Sequence, residues 1–379
     1  MMIGPGTNDP ESAVAGLAAR YPEKTSYLGR VFNDTTNSYK LIWFLAILSL
    51  LRRNESTSFS LPELFAEMGT IAWHPVCLYR LSLGRQDKLQ DAVREIRSRS
   101  SLPANATPGS VRTFVLESEE AGRSLDFIRN YVPARFLAPW FAEELRGHKD
   151  SVRNRLIAEL AASSQHTSSA CPYWLGDGRI HLNESWRAFL LENIAMVEAF
   201  AEYHFAHYLQ VRNPNVPGIV NKLRAPVARQ LGDARRFWRL VRHGFEQSGK
   251  ADLFGDIYAG RPLGDDFAID HFLPWSFALH DLLWNLTPVE SGTNSSKSDS
   301  LPDIELYLPR LARLHFEVVE TMQSHPRLLE DHTDCFKLEP SDLLALGEDG
   351  LTAKYREVVI PQAQIAMNQG FPSGWAFRE

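Results

Sequence analysis

The chain has only three cysteines, Cys77, Cys171 and Cys335, in 379 residues, and no two of them form a Cys-x-x-Cys pair. A cysteine-rich zinc site and a disulfide framework are thereby excluded, and no structural zinc is expected. Long apolar runs are also missing. The longest, Leu41 to Leu51, has eleven residues, which is too short for a bilayer and suits a buried helix. The first ten residues are Gly/Pro-rich and carry no basic stretch followed by an apolar one, so no signal peptide is read. These absences predict a cytoplasmic protein without a membrane partner. Basic excess is lacking too: 40 Lys and Arg stand against 46 Asp and Glu, a net charge of −6. Histone-like and ribosomal proteins are excluded, and at face value so acidic a chain speaks against nucleic-acid binding.

What is present reads as helix for most of its length. Residues 1–28 form an expected flexible arm with one short helical stretch. The run Thr35-Thr36-Asn37-Ser38 offers N-caps to a central apolar helix ending near Arg53. Ser60 and Pro62 open a second helix to about Met68. Further helices are expected over Asp87–Arg99, Leu125–Glu144 and Ser151–Ala162, with a loop at Ser100–Gly109 and a Ser/Thr-rich linker at Ala161–Ala170. After Asn183, residues Trp186, Leu190, Ile194, Val197, Ala201, Phe205 and Tyr208 recur on one continuous helical face. His204 and His207 flank it and read as structural or solvated. Asn213-Pro-Asn-Val-Pro-Gly218 ends that helix. Later helices are expected over Pro309–Ser324, Pro340–Leu346 and Lys354–Gln369.

The average charge hides one strip. Lys222, Arg224, Arg229, Arg235, Arg236, Arg239 and Arg242 face a single acid, Asp233, within twenty-one residues, with Phe237, Trp238, Leu240 and Val241 interleaved. It reads either as an amphipathic helix with a solvated basic face or as a surface that contacts nucleic-acid phosphates.

The chemistry concentrates just downstream. Phe267 and Ile269 alternate with polar neighbours, so a short strand leads to Asp270-His271. Pro274 forces a turn. Leu286-Thr-Pro-Val289 reads as a second short strand, with Pro288 at an edge. Asn294 and Ser295 read as N-caps of a short helix carrying Lys297. Asp270 and Asn294 offer two hard oxygen ligands, which with water and a substrate phosphate suit Mg²⁺, with Mn²⁺ as the alternative ion. His271 points away from Asp270 in an extended strand and can take the proton of an attacking water as a general base. Lys297 can neutralise phosphate charge. His280-Asp281 reads as a surface pair, or as a group that approaches DNA or positions the hairpin. Asp299 reads as a surface acid or a partner of Lys297, and Asp265-Asp266 as turn residues.

The set Asp270-His271, Asn285, Asn294 and Lys297-Ser298-Asp299, with Pro274, Ser276 and Phe277 in step, resembles the ββα-metal HNH nuclease motif. It is most similar to the HNH domain of RNA-guided type II CRISPR nucleases, over about forty residues. The resemblance implies that Asp270 and Asn294 hold the metal, that His271 is the base, that Asn285 orients His271 by a hydrogen bond and that Lys297 lies beside the phosphate. No nuclease repeats or arginine-rich bridge helix of those enzymes are found, so RNA guidance is not implied. Thr36-Asn-Ser-Tyr-Lys40, Arg212–Gly218 with Lys222-Leu223, and Asp270–Phe277 resemble free-standing bacterial HNH proteins that sit among phage-defence genes, the nuclease of some Zorya systems being one kind.

The sequence therefore predicts a mainly α protein with a small α+β module. Its parts are the arm at 1–28, a helical domain at 29–175, the long helix and basic segment at 176–250, the HNH module at 251–305 and a helical region at 306–379. The expected function is metal-dependent hydrolysis of DNA in anti-phage defence, nicking as one copy and cutting both strands as a homodimer, with other defence proteins as candidate partners. An RNase or partner-activated nuclease and an idle nucleic-acid-binding adaptor are the alternatives.

Overall fold

The computed structural model describes residues 20–378 apart from 34, 168, 169, 227, 228 and 230. Most of the arm expected over 1–28, and the end of the linker expected at 161–170, lie outside the described residues. The chain divides into two compact units. The division begins within the Asn213–Gly218 turn. The first unit runs to Pro214 and takes in Lys222–Ala225; the second takes in Asn215–Asn221 and Pro226–Glu379.

The first unit is helical around one apolar helix. It begins with α1 (Pro22–Val31) and α2 (Tyr39–Asn54). Helix α2 buries residues on nearly every side, including Trp43, Phe44 and Leu51, as its unbroken apolar run requires. Strand β1 (Ser58–Ser60) leads into α3 (Leu61–Trp73), opened by a capping box in which Ser60 and Glu63 exchange hydrogen bonds. That helix runs five residues beyond Met68. Then come α4 (Lys88–Arg99), α5 (Pro108–Glu117), α6 (Glu119–Leu125), α7 (Val132–Arg135) and α8 (Asp150–Ser164). The single helix expected over Leu125–Glu144 is instead a series of short turns, interrupted by Pro133 and Pro139. A hairpin of β2 (Tyr173–Gly176) and β3 (Arg179–Leu182) follows, with β1 added to β3. Asp177 and Gly178 both hold positive φ (50° and 70°), the geometry of a two-residue hairpin turn. The face from Trp186 to Tyr208 is not one helix: α9 (Glu184–Glu192) stops at Asn193 before α10 (Ile194–Arg212).

The second unit's first long helix is α11 (Gly232–Gln247), which buries Ala234, Phe237, Trp238, Val241 and Phe245 and exposes Arg235, Arg236 and Arg239. Short strands β4 (Gly255–Asp256) and β5 (Arg261–Pro262) pair with each other. Strand β6 (Ala268–His271), a single turn α12 (Trp275–Ala278), strand β7 (Leu286–Val289) and α13 (Ser291–Lys297) follow. Strands β6 and β7 are antiparallel, with Asp270 opposite Thr287 and His271 opposite Leu286. Helix α13 begins three residues before Asn294, so Asn294 lies inside the helix and not at its cap. Helices α14 (Ile304–Met322), α15 (Glu330–Phe336), α16 (Pro340–Ala345) and α17 (Gly347–Asn368) complete the unit.

These helices hold the hairpin. Beyond a shared core of Trp238, Phe277, Leu286, Leu311, Val318 and Tyr355, three polar bonds grip consecutive parts of the chain entering β7. Asp331 of α15 accepts from Leu283 N (2.8 Å). Tyr355 of α17 donates to Trp284 O (3.0 Å). His315 of α14 donates from Nε2 to Leu286 O (3.1 Å). No helix among the described residues is long and apolar enough to cross a membrane.

Candidate active site

Two neighbouring residues on β6 divide the site. Successive side chains of a strand point to opposite faces, so Asp270 and His271 meet different partners.

Asp270 is 3 % exposed. Tyr258 donates its hydroxyl to Oδ2 at 2.8 Å. Lys297 Nζ, on α13, lies 3.2 Å from Oδ1 and 3.0 Å from Oδ2. The same ammonium donates to His271 O at 2.6 Å, so it ties the helix to the backbone of the strand. Lys297 is fully buried. Burial, with the adjacent Asp270 carboxylate, raises the Tyr258 phenol well above its ordinary range, so Tyr258 stays a donor. Asn294 sits one turn before Lys297 on the same face of α13, half-buried, with no side-chain hydrogen bond among the described residues. Asp270 and Asn294 thus bring a carboxylate and an unspent amide oxygen from facing elements. The donor set fits a hard divalent cation that keeps part of its water shell, Mg²⁺ or Mn²⁺. No group of three or more His, Cys, Asp or Glu able to hold a metal occurs among the described residues. A cation bound there competes with Lys297 for Asp270.

His271, 4 % exposed, turns the other way. Its Nε2 lies 2.8 Å from Asp281 Oδ1. That bond is the largest influence on Asp281 and holds its carboxyl below the usual range. Asp281 is therefore no incidental surface acid. Leu279, in the left-handed region at φ 54°, ends α12 and reverses the chain, and Asp331 pins Leu283, so the loop between them returns over His271.

Asn285 does not bond the imidazole. Its Oδ1 accepts from Leu273 N (2.8 Å) and its Nδ2 donates to Leu273 O (3.1 Å). It is fully buried and shapes the backbone that leaves His271. Asp299 is half-buried and accepts from Ser276 Oγ at 2.8 Å rather than from Lys297.

Two residues escaped the sequence reading. Tyr258 is one. Asp256 is the other: it is 1 % exposed, and accepts from Tyr258 N (2.8 Å), Ala259 N (3.1 Å) and Glu290 N (3.0 Å). Glu290 is the residue before α13, so Asp256 fixes the helix that carries Asn294 and Lys297. No motif spacing points to Tyr258, whereas the turn chemistry of an Asp followed by two free backbone N–H groups could have found Asp256.

The basic strip is only partly a surface. Lys222 must be corrected: it is fully buried, which lowers its ammonium to about 7, and it cannot meet a nucleic acid. Arg224 pairs with Glu202 and Glu198, Arg236 with Asp233, and Arg242 with Glu246 and Asp265. Arg229 lies over the Trp275 ring, 5.1 Å from its centroid. Arg235 and Arg239, one turn apart on α11, are exposed and without an acidic partner among the described residues.

A protein-family model described as HNH endonuclease matches residues 256–303. The match starts at Asp256, the last residue of β4, and ends at Asp303, the N-cap of α14, so it covers β5 to α13 entire. No curated protein and no solved structure matches the chain.

Proposed function

We propose that this chain, whose residues 256–303 form an HNH endonuclease domain, hydrolyses DNA phosphodiester bonds with the help of Mg²⁺ or Mn²⁺. The observation that carries this reading is the division of labour on β6. Asp270 faces a cationic, oxygen-lined side with Asn294 and Lys297, while the adjacent His271 faces the opposite side with an acid behind it. Asp270 and Asn294 would hold the cation, which when bound supplies positive charge to the scissile phosphate and to the departing 3′ oxygen. His271 removes the proton of the water that attacks phosphorus. Lys297 holds Asp270 and the His271 carbonyl, so it sets the distance between the two halves of the site, and its charge favours the phosphate. Asn285 keeps the turn after His271 closed. Arg235 and Arg239 grip backbone phosphates without reading sequence.

One such site cleaves one strand, so a single copy nicks and a homodimer cuts a duplex. We place the activity in anti-phage defence on the resemblance to free-standing defence nucleases; protection of a phage-challenged host, lost with His271→Ala, tests that placement. The nuclease reading is tested by incubating the protein with labelled DNA and labelled RNA, with Mg²⁺ or with chelator. Mg²⁺-dependent cleavage of DNA that His271→Ala abolishes supports it. Cleavage of RNA alone moves the substrate to RNA, and no cleavage of either by the wild type refutes the reading.

A further inference from the structure

We infer that Asp281 orients the catalytic histidine: it holds His271 by Nε2 and so reserves Nδ1 for the attacking water. The inference rests on the nuclease reading above and assigns to Asp281 the orienting role that the sequence resemblance gives to Asn285.

The argument starts from what a carboxylate can do. An ionised carboxylate accepts hydrogen bonds and donates none. With Asp281 Oδ1 2.8 Å from His271 Nε2, the proton of the neutral imidazole must sit on Nε2. The lone pair able to take a proton is then on Nδ1. That atom has no hydrogen-bond partner among the described residues and is not sealed away from solvent. Without an acceptor at Nε2 the ring exchanges between two tautomers and between two flips about its χ2 axis, and only one combination presents a basic nitrogen to the water.

Asp281 is built to stay in place. Leu279 turns the chain back, and Leu283 N is fixed by Asp331 two residues later. Asn285 cannot supply this restraint, because both ends of its amide are spent on Leu273. Asp281 touches neither phosphate nor cation. It is a positioning residue that acts through His271 alone.

That last point gives the test. In cleavage of labelled DNA with Mg²⁺, Asp281→Ala lowers kcat by about 10- to 100-fold, a part of the roughly 10²- to 10⁴-fold that a general base supplies, and leaves KM within about 3-fold. His271→Ala combined with Asp281→Ala is no slower than His271→Ala alone, since the acid has nothing left to orient. Asp281→Asn keeps the size of the side chain but offers N–H as readily as C=O, so it does not restore the rate. Nitrogen NMR of the His271 ring, in the full chain without substrate, shows Nε2 protonated in the wild type and a mixture of tautomers in Asp281→Ala. A wild-type ring protonated at Nδ1, an unchanged kcat in Asp281→Ala or additive losses in the double variant would overturn the inference. If the wild type cleaves nothing, the nuclease reading fails, while the NMR result still decides whether Asp281 sets the tautomer.

Discussion

Lys297→Met isolates the electrostatics of the site. Methionine has nearly the length of lysine and no charge, so the substitution leaves the Asp270 carboxylate 3 % exposed with Tyr258 as its remaining donor, and leaves His271 O without its ammonium. Removing one partner of a buried ion pair costs about 3–5 kcal/mol, because the survivor is neither solvated nor compensated. The whole of that loss is expected in chelator, since Lys297 has no exposed surface on which water could stand in for it. One further variant and one ligand give the loss its cause. Asp270→Asn with Lys297→Met removes both charges and recovers at least half of the loss, because no uncompensated ion remains. A divalent cation bound by Asp270 and Asn294 stabilises the folded variant by about 2.7 kcal/mol at one hundred times its dissociation constant. It stabilises the variant more than the wild type, where it competes with the ammonium. The assay is hydrogen exchange of peptides spanning 268–297, with chelator or Mg²⁺, which reads this hairpin and helix separately from the first unit. A loss below about 1 kcal/mol in Lys297→Met, or equal stabilisation of both proteins by Mg²⁺, would refute the reasoning.

Other perturbations read other links. Asp256→Ala strands three backbone donors and destabilises the second unit by about 3–5 kcal/mol, while Asp256→Asn keeps an acceptor oxygen and loses roughly half as much; urea unfolding measures both. His315 and His332 are buried against each other at 2.9 Å. Burial pushes His332 down to about 4, and burial together with His332 holds His315 well below its ordinary value. The unfolded chain therefore takes up protons near pH 6.5 and the folded one does not, so stability is full above that pH and falls as it drops toward 4. His332 alone accounts for about 3 kcal/mol, and His332→Gln flattens the acid limb of the stability curve by that amount. Arg235→Ala with Arg239→Ala makes the dependence of DNA affinity on salt less steep by up to about two in the log–log slope. Lys222→Ala lowers the melting temperature and leaves that slope unchanged.

The legible parts of the molecule are those fixed by local pattern. Strands β6 and β7 begin and end where alternation and Pro288 place them, and Ser60 caps α3 as read. Asn294 is no cap: a run of Ser, Thr and Asn speaks for a helix start anywhere within it, and the hold of Asp256 on Glu290 N helps set the actual start at Ser291. The Asp177-Gly178 hairpin goes unread in the sequence, although both turn residues hold positive φ. Asn193 breaks the long face because its Nδ2 bonds Phe189 O, a local competition that apolar periodicity does not register. Tyr258, the Asp281–His271 bond and the burial of Lys222 depend on where distant elements meet, and no spacing along the chain encodes them. The Asn285 amide shows the same limit: its position in the motif was read from the resemblance, its partner only from the fold.

The most direct test of the account is cleavage of supercoiled DNA with Mg²⁺ in ¹⁸O-labelled water, with mass spectrometry of the new ends. Attack by a water that His271 deprotonates, with the 3′ oxygen leaving, predicts 5′-phosphate ends carrying one solvent ¹⁸O and 3′-hydroxyl ends from the wild type, and none above background from His271→Ala. Ends bearing 3′-phosphate, or equal amounts of product from the two proteins, would contradict it.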